Sequence, residues 1–351
     1  MAMTEARPAV PERIEDTGQL EDLLSEPTDA AVEALARAEG DLLLLGVAGK
    51  MGPTLARMAR RASDMAGVRR RVIGVARFSD ARQEAALQAH GVETVRCDLL
   101  DSAQLVRLPD APNVVYLVGT KFGSAGQEAR TWAVNCWLPG MVCQKYRAAR
   151  LVAFSTGNVY GLGPVARGGS RETDPPNPTG DYAMSCLGRE RVLEHFSRDY
   201  EILTVLLRLN YAAELRYGVL LDLAERVAAG RLVELAMGHV NVIWQADASA
   251  MALASLGRAS VPPFVLNVAG PELLSVRRLA EEFGALLGRN VRFDGQESTD
   301  AFLSNGQLGH RLFGYPRVPA GRLVHWVTDW VARGGETFGK PTRFEVRDGK
   351  F

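Results

Sequence analysis

Three glycines in the run GVAGKMG, Gly46, Gly49 and Gly52, stand at a GxxGxxG spacing directly after the apolar run LLLL and open the helical stretch PTLARMARR. Glycine permits the tight strand-to-helix turn there and lets backbone N–H groups and the helix N-terminus approach a pyrophosphate. The predicted chemistry is dinucleotide binding, with Lys50 and Met51 inside the loop. The end of the second apolar run, VIGVARFSD, selects the dinucleotide. A carboxylate at that place bonds a ribose 2′-hydroxyl and favours NAD, whereas an arginine accommodates a 2′-phosphate. The sequence has Ala76 and then Arg77, with no acid before Asp80, which favours NADP over NAD. Asp98 in CDLLD, followed by Leu99, ends the third run in a position to bond the adenine amino group, and Val118 ends the fourth.

These residues need a scaffold of alternating elements, and the pattern supplies one. Short apolar runs (DLLLLGVAG, RRVIGVAR, VETVRCD, NVVYLVG, RLVAFST) alternate with helical stretches, including one long helix expected across residues 126 to 149. Near-continuous apolar strands separated by helices predict a parallel sheet covered on both faces. The expected fold is α/β, a Rossmann-type doubly wound parallel sheet over residues 41 to 210. A smaller, discontinuous C-terminal substrate lobe over 211 to 351 is expected to return strands near 240–245 and 263–268 to that sheet. Residues 1 to 40 read as an N-terminal helical extension that pads the sheet edge or extends a subunit contact.

Composition excludes other classes. Lys+Arg and Asp+Glu balance at 41 each and are interleaved, so neither nucleic acid nor an anionic membrane is expected as a partner. No run has the length of a signal-peptide core or a membrane span, and a cytoplasmic protein is expected. Cys97, Cys136, Cys143 and Cys186 show no CxxC spacing, so neither a disulfide scaffold nor a metal site is expected. Of the basic residues only Lys50, Lys121, Lys145, Lys340 and Lys350 are lysine.

Several motifs in order now carry a resemblance. GVAGKMG, CDLLD, Asn135 in WAVNCWLPG, FSTGNVYG, RETDPPNPTGDYAMSC and LRLNYA together resemble the extended short-chain dehydrogenase/reductases, the NAD-dependent epimerase/dehydratase family, from about residue 41 to 335. The resemblance implies that Tyr182 exchanges a proton with a substrate hydroxyl while hydride passes to or from the nicotinamide. Thr156 would hold that oxygen, and Asn135 would belong to the cofactor site. It also implies a homodimer, in which the helices of 126–149 and 181–198 pack as a four-helix bundle.

One position departs from the family. Its lysine, four residues after the tyrosine, bonds the nicotinamide ribose and lowers the tyrosine pKa; here that position is Cys186. Bringing a tyrosine from near pH ~10 to ~7 requires about 4 kcal/mol of differential stabilisation, and a neutral thiol offers little of it. Three readings follow. Lys121, on a loop that in this fold borders nicotinamide and substrate, replaces the cation or binds a substrate carboxylate. Alternatively Tyr182 acts mainly as a proton donor in carbonyl reduction. In the third, the protein is a non-catalytic NAD(P)-binding sensor or scaffold.

Two further departures narrow the substrate. The Asp-Glu pair that follows the threonine in dehydratases is Gly157-Asn158 here, which argues against sugar 4,6-dehydration. The arginine that holds a diphosphate in nucleotide-sugar epimerases is absent, because VNVIWQAD has Val240 and Asn241 at the first positions of that segment; Arg208 or Arg216 would have to compensate. The expected substrate is a small carbohydrate-like alcohol or carbonyl, such as a free sugar or sugar acid, held by Lys121, Thr156, Asn158, Asn210, His239 or Asn241. The enzyme reading, an NAD(P)-dependent oxidoreductase or epimerase, leads because Tyr182 and Thr156 are both retained.

Overall fold

The structure, a computed structural model, describes residues 10–121 and 126–350. Seven parallel strands form one sheet: β1 (Leu42–Leu45), β2 (Val72–Ala76), β3 (Glu93–Arg96), β4 (Asn113–Tyr116), β5 (Arg150–Thr156), β6 (Thr204–Leu209) and β7 (Phe264–Val268). Their spatial order is 3-2-1-4-5-6-7. β1 lies between β2 and β4, with Leu42 opposite both Val72 and Asn113. Its four leucines are fully buried. Because successive strand residues face opposite sides, Leu42 and Leu44 enter one core while Leu43 and Leu45 enter the other. The sheet is covered on both faces, as the continuous apolar runs predict. β3, at one edge, is the polar strand.

The order reverses between β1 and β4. A crevice therefore opens beyond their C-terminal ends, where open α/β sheets bind ligands. Helix α1 (Thr17–Leu24) and α2 (Asp29–Arg37) precede the sheet, capped by Asp16 and Thr28. α3 (Gly52–Met65) follows the glycine loop, α4 (Ala81–Ala89) follows β2, and α5 (Ser102–Val106) follows β3. The helix expected over 126–149 is observed as α6 (Glu128–Trp132), a π turn (Ala133–Trp137) and α7 (Leu138–Lys145). Pro139 contributes to the interruption, since it has no N–H to donate to the carbonyl of Asn135. α8 (Gly180–Tyr200) carries Tyr182 and ends at Glu201 in a left-handed conformation, φ 55°.

The C-terminal lobe contains α9 (Val219–Ala228), α10 (Gln245–Ala254), α11 (Val276–Leu287), α12 (Gln307–Phe313) and α13 (Ala320–Ala332). Phe264–Val268 joins the main sheet as expected, pairing with β6. The 240–245 stretch does not. His239–Val240 pairs with Leu274–Ser275 and Ile243–Trp244 with Ala212–Ala213. The break falls at Asn241, whose side chain is turned to the carbonyls of Gly270 and Ser304. The N-terminal extension packs through α2 onto α3 and α10. Arg70 donates to the carbonyls of Leu35 and Ala38, and Trp326 donates to those of Pro11 and Glu12. No helix among the described residues is long and apolar enough to cross a membrane.

Candidate active site

The glycine loop folds as its spacing requires. Gly46 has φ 86°, and a Cβ there would lie 2.8 Å from Val118 Cγ2. A Cβ on Gly52 would meet the carbonyl oxygen of Val47 at 2.1 Å, so the close strand–helix contact admits only glycine. Beyond the loop lies a cavity of about 350 Å³. From the expected cofactor residues it gathers Gly46, Gly49, Arg77, Asp98, Leu99 and Val118, and it extends to Gly119 and Thr120. Arg77 is exposed at its rim with Ser79. Asp80, the next acid, caps α4 and pairs with Arg82 at 3.1 Å. The side chains at that end are thus cationic and hydroxylic.

The other expected cofactor residues lie outside the cavity lining. Lys50 turns away to donate to the carbonyl of Ala212 at 3.3 Å and sits 3.7 Å from the centre of the Tyr217 ring. Met51 and Gly52 are buried at the head of α3. Asn135 is fully buried behind the cavity wall. It accepts from the N–H of Thr120 at 3.0 Å and donates to the Thr120 carbonyl and, at 2.9 Å, to Ser185 Oγ. Ser185 in turn donates to the carbonyl of Tyr182. A short relay therefore ties the wall of the cavity to the turn that carries the tyrosine.

Tyr182 and Thr156 come together although 26 residues separate them. Tyr182 packs against Cys186 and lies close enough to Thr156 for both side chains to bear on its hydroxyl. Burial pushes its pKa well above the usual tyrosine value; nearby Cys186 adds to the rise, while Thr156 and Arg189 oppose it. Cys186 is 1% exposed and packed against Val159, Tyr160 and Tyr182, and burial raises its thiol too. It is a small neutral residue in the core.

Lys121 also lies near the tyrosine. Its Nζ lies 5.9 Å from the centre of the Tyr182 ring and donates to the carbonyl of Thr342 at 3.4 Å. Burial lowers its pKa to about 8, against the opposing influence of Cys186, Asp222 and Glu345. Lys50 falls to about 7, chiefly by burial, with Glu214 opposing and Lys121 reinforcing.

The remaining substrate candidates divide. Asn158 bonds Thr156 through both its N–H and side chain, so it stays beside the tyrosine. Asn210 donates to Asn241, and Asn241 is engaged with Gly270 and Ser304. His239 lies apart, in a surface hollow with Leu274, Ser275 and Glu282. Both arginines that could have met a diphosphate are committed. Arg208 is clamped by Glu190 at 2.6 Å, and Arg216 by Glu214 and Glu21, each at 3.1 Å.

Two features escaped the sequence reading. Arg189, on the same face of α8 as Tyr182 and Cys186, is buried. The i, i+4, i+7, i+11 series Tyr182, Cys186, Arg189, Leu193 contained the signal, an arginine on an apolar stripe. The second is the C-terminal segment. Phe338 bonds the Arg216 carbonyl, Thr342 bonds Asp222, and Arg347 reaches the carbonyls of Ala236 and Asp300 at 3.0 Å each. Gly349 then abuts Thr179 and Gly180 at the start of α8. This strap runs past Lys121, which donates to its Thr342 carbonyl, to the start of α8.

Comparison with known proteins gives the geometry a family. Residues 42–239 match the NAD dependent epimerase/dehydratase family. No curated protein matches. Among solved structures, UDP-glucuronic acid 4-epimerase from Bacillus cereus, in complex with UDP-glucuronic acid and NAD, is similar over 84% of this chain and 99% of its own, with 17% identity and a TM-score of 0.68. UDP-glucose 4-epimerase from Thermotoga maritima, with UDP-glucose, covers 84% and 99% at 17% identity and a TM-score of 0.67. dTDP-glucose 4,6-dehydratase from Bacillus anthracis, in complex with NAD, covers 84% and 97% at 16% and 0.69. At these identities the likeness is one of fold. The family match, over more than half of the chain, says more: the chain belongs to the NAD-dependent epimerase/dehydratase family of the extended short-chain dehydrogenase/reductases.

Proposed function

We propose that this protein is an NAD(P)-dependent oxidoreductase or epimerase acting on a small carbohydrate-like alcohol or carbonyl, a free sugar or sugar acid, with NADP preferred. The observation that carries the reading is the juxtaposition of Tyr182 with Thr156, tied through Ser185 and Asn135 to the wall of the cavity beyond the glycine loop. The bound nicotinamide supplies hydride chemistry. Tyr182 gives or takes the proton of the substrate oxygen, Thr156 holds that oxygen, and Lys121 faces it with an ammonium. A tyrosine kept protonated by burial is set up as a donor, so carbonyl reduction is the favoured direction.

The nucleotide sugars named with the similar structures belong to those proteins. Here the loss of the diphosphate-binding arginine and the ion pairs that occupy Arg208 and Arg216 both support a smaller substrate. The exposed arginine at the rim supports NADP. A homodimer through α6–α7 and α8 is supported by the apolar side chains these helices leave exposed: Trp132 at 37%, Met184 at 48% and Trp137 at 58%.

The test is cofactor titration followed by turnover on a panel of sugars, sugar acids and simple carbonyls. Turnover abolished in Tyr182→Phe and strongly reduced in Lys121→Ala supports the enzyme. Tight cofactor binding with no turnover favours the sensor or scaffold.

A further inference from the structure

Arg189 is 5% exposed and lies three residues after Cys186 and seven after Tyr182, so the three share one helix face. Side chains on a helix lean toward its N-terminus, which directs the guanidinium back along α8 toward the tyrosine. Its donors meet only neutral acceptors. Nη1 donates to the carbonyl of Phe154 at 2.7 Å, Nη2 to Oδ1 of Asn135 at 2.7 Å, and Nε to the carbonyl of Asn135 at 3.3 Å. That last carbonyl faces Pro139, the residue that would donate to it in an unbroken α-helix. The adjacent Glu190 is taken by Arg208 and by Ser155 Oγ. Among the described residues no carboxylate forms an ion pair with Arg189.

A buried charge without a counter-ion is costly, and in a poorly solvated interior its field reaches the groups around it with little screening. Those groups are Tyr182, Cys186, Cys136 and Tyr116, whose ring centre lies 5.8 Å from the guanidinium carbon. On the remaining side a Cβ added to Gly119 would lie 2.8 Å from Nη2. Gly119 lines the cofactor cavity. One glycine therefore stands between the charge and the space a dinucleotide would fill.

We propose that Arg189 is a positioning residue that holds a fixed positive charge behind the Gly119 wall of the cofactor cavity and thereby favours the uncharged reduced nicotinamide over the cationic oxidised ring. The inference rests on the dinucleotide reading of the cavity and adds a residue and a role to it. Lys121 and Arg189 are then two cations near the tyrosine.

The experiment measures dissociation constants for NAD⁺, NADH, NADP⁺ and NADPH on the full-length protein, in wild type, Arg189→Met and Arg189→Lys. ADP-ribose serves as the probe of a folded adenine half. In Arg189→Met the ratio of reduced to oxidised dissociation constants rises on the order of tenfold, the size expected for a unit charge ~10 Å away at an effective dielectric constant of ~20. In Arg189→Lys it stays near the wild-type value. Asn135→Asp provides a second route, since it places a carboxylate against Nη2 without removing the arginine, and it shifts the ratio in the same direction. A ratio unchanged in an Arg189→Met protein that still binds ADP-ribose overturns the proposal. Should Arg189→Met not fold, an unchanged ratio in Asn135→Asp does so. A wild type that binds ADP-ribose but none of the four dinucleotides overturns the cofactor reading itself, a result distinct from either.

Discussion

Lys121 donates to the carbonyl of Thr342, 221 residues further along the chain, so the C-terminal strap closes over the one lysine that faces Tyr182. The strap is fastened beyond that point by Arg347, which bonds two carbonyls and the carboxylate of Asp300. Charge-assisted bonds of this kind contribute about 1.5–3 kcal/mol each.

Loosening that clasp should uncover Lys121. In Arg347→Ala, modification of Lys121 by a soluble amine reagent, followed by peptide mass spectrometry with exposed Lys350 as the internal reference, should accelerate on the order of tenfold. Equal rates in both proteins would show that the strap does not control access.

The Lys121 ammonium also predicts a dependence of stability on pH. Burial moves its pKa from an ordinary value near 10.4 to about 8. Between these values the unfolded chain binds a proton that the folded chain does not, so stability rises with pH through that window. The slope is at most about 1.4 kcal/mol per pH unit. Lys121→Met lacks this contribution. Urea midpoints at pH 8 and pH 10 should show the wild type gaining on the variant; parallel changes would place the titration elsewhere.

At the adenine end, Arg77→Ala should weaken NADPH by roughly tenfold or more, the loss expected when a charge-assisted bond to phosphate is removed. NADH affinity should be unchanged. Fluorescence titration of the two reduced cofactors checks this, and equal weakening of both would remove the basis for preferring NADP.

Trp137, 58% exposed on the outer face of the α6–α7 helix pair, should lie within a subunit interface. Trp137→Glu should convert a dimer to a monomer in sedimentation at micromolar concentration. A wild type that sediments as a monomer would contradict the assembly.

The sequence displayed the sheet more fully than the site. Strands such as Leu42–Leu45 and Val72–Ala76 are legible because both faces are buried, leaving continuous apolar runs, and the glycine spacing fixed the loop between strand and helix. Tyr182, Thr156 and Asn158 were legible through their motifs. What the sequence concealed depends on long-range packing. Asn241 reads as strand, yet its amide is drawn to Gly270 and Ser304. His239 reads as a neighbour of the substrate, yet it lies in a surface hollow. Arg189 looks like an ordinary helix-surface arginine until Pro139 and Gly119 supply an open carbonyl and room beside the cavity. The strap has no local motif at all, because its anchors, Asp222, Ala236 and Asp300, lie scattered through the C-terminal lobe.

The most direct test of the account is the rate of NADPH oxidation by a panel of small sugar and sugar-acid carbonyls, comparing wild type with Tyr182→Phe at matched cofactor saturation. The account predicts turnover in the wild type and a loss of at least about a hundredfold in the variant, the lower end of what a positioned proton donor contributes. Undiminished turnover in Tyr182→Phe would contradict it.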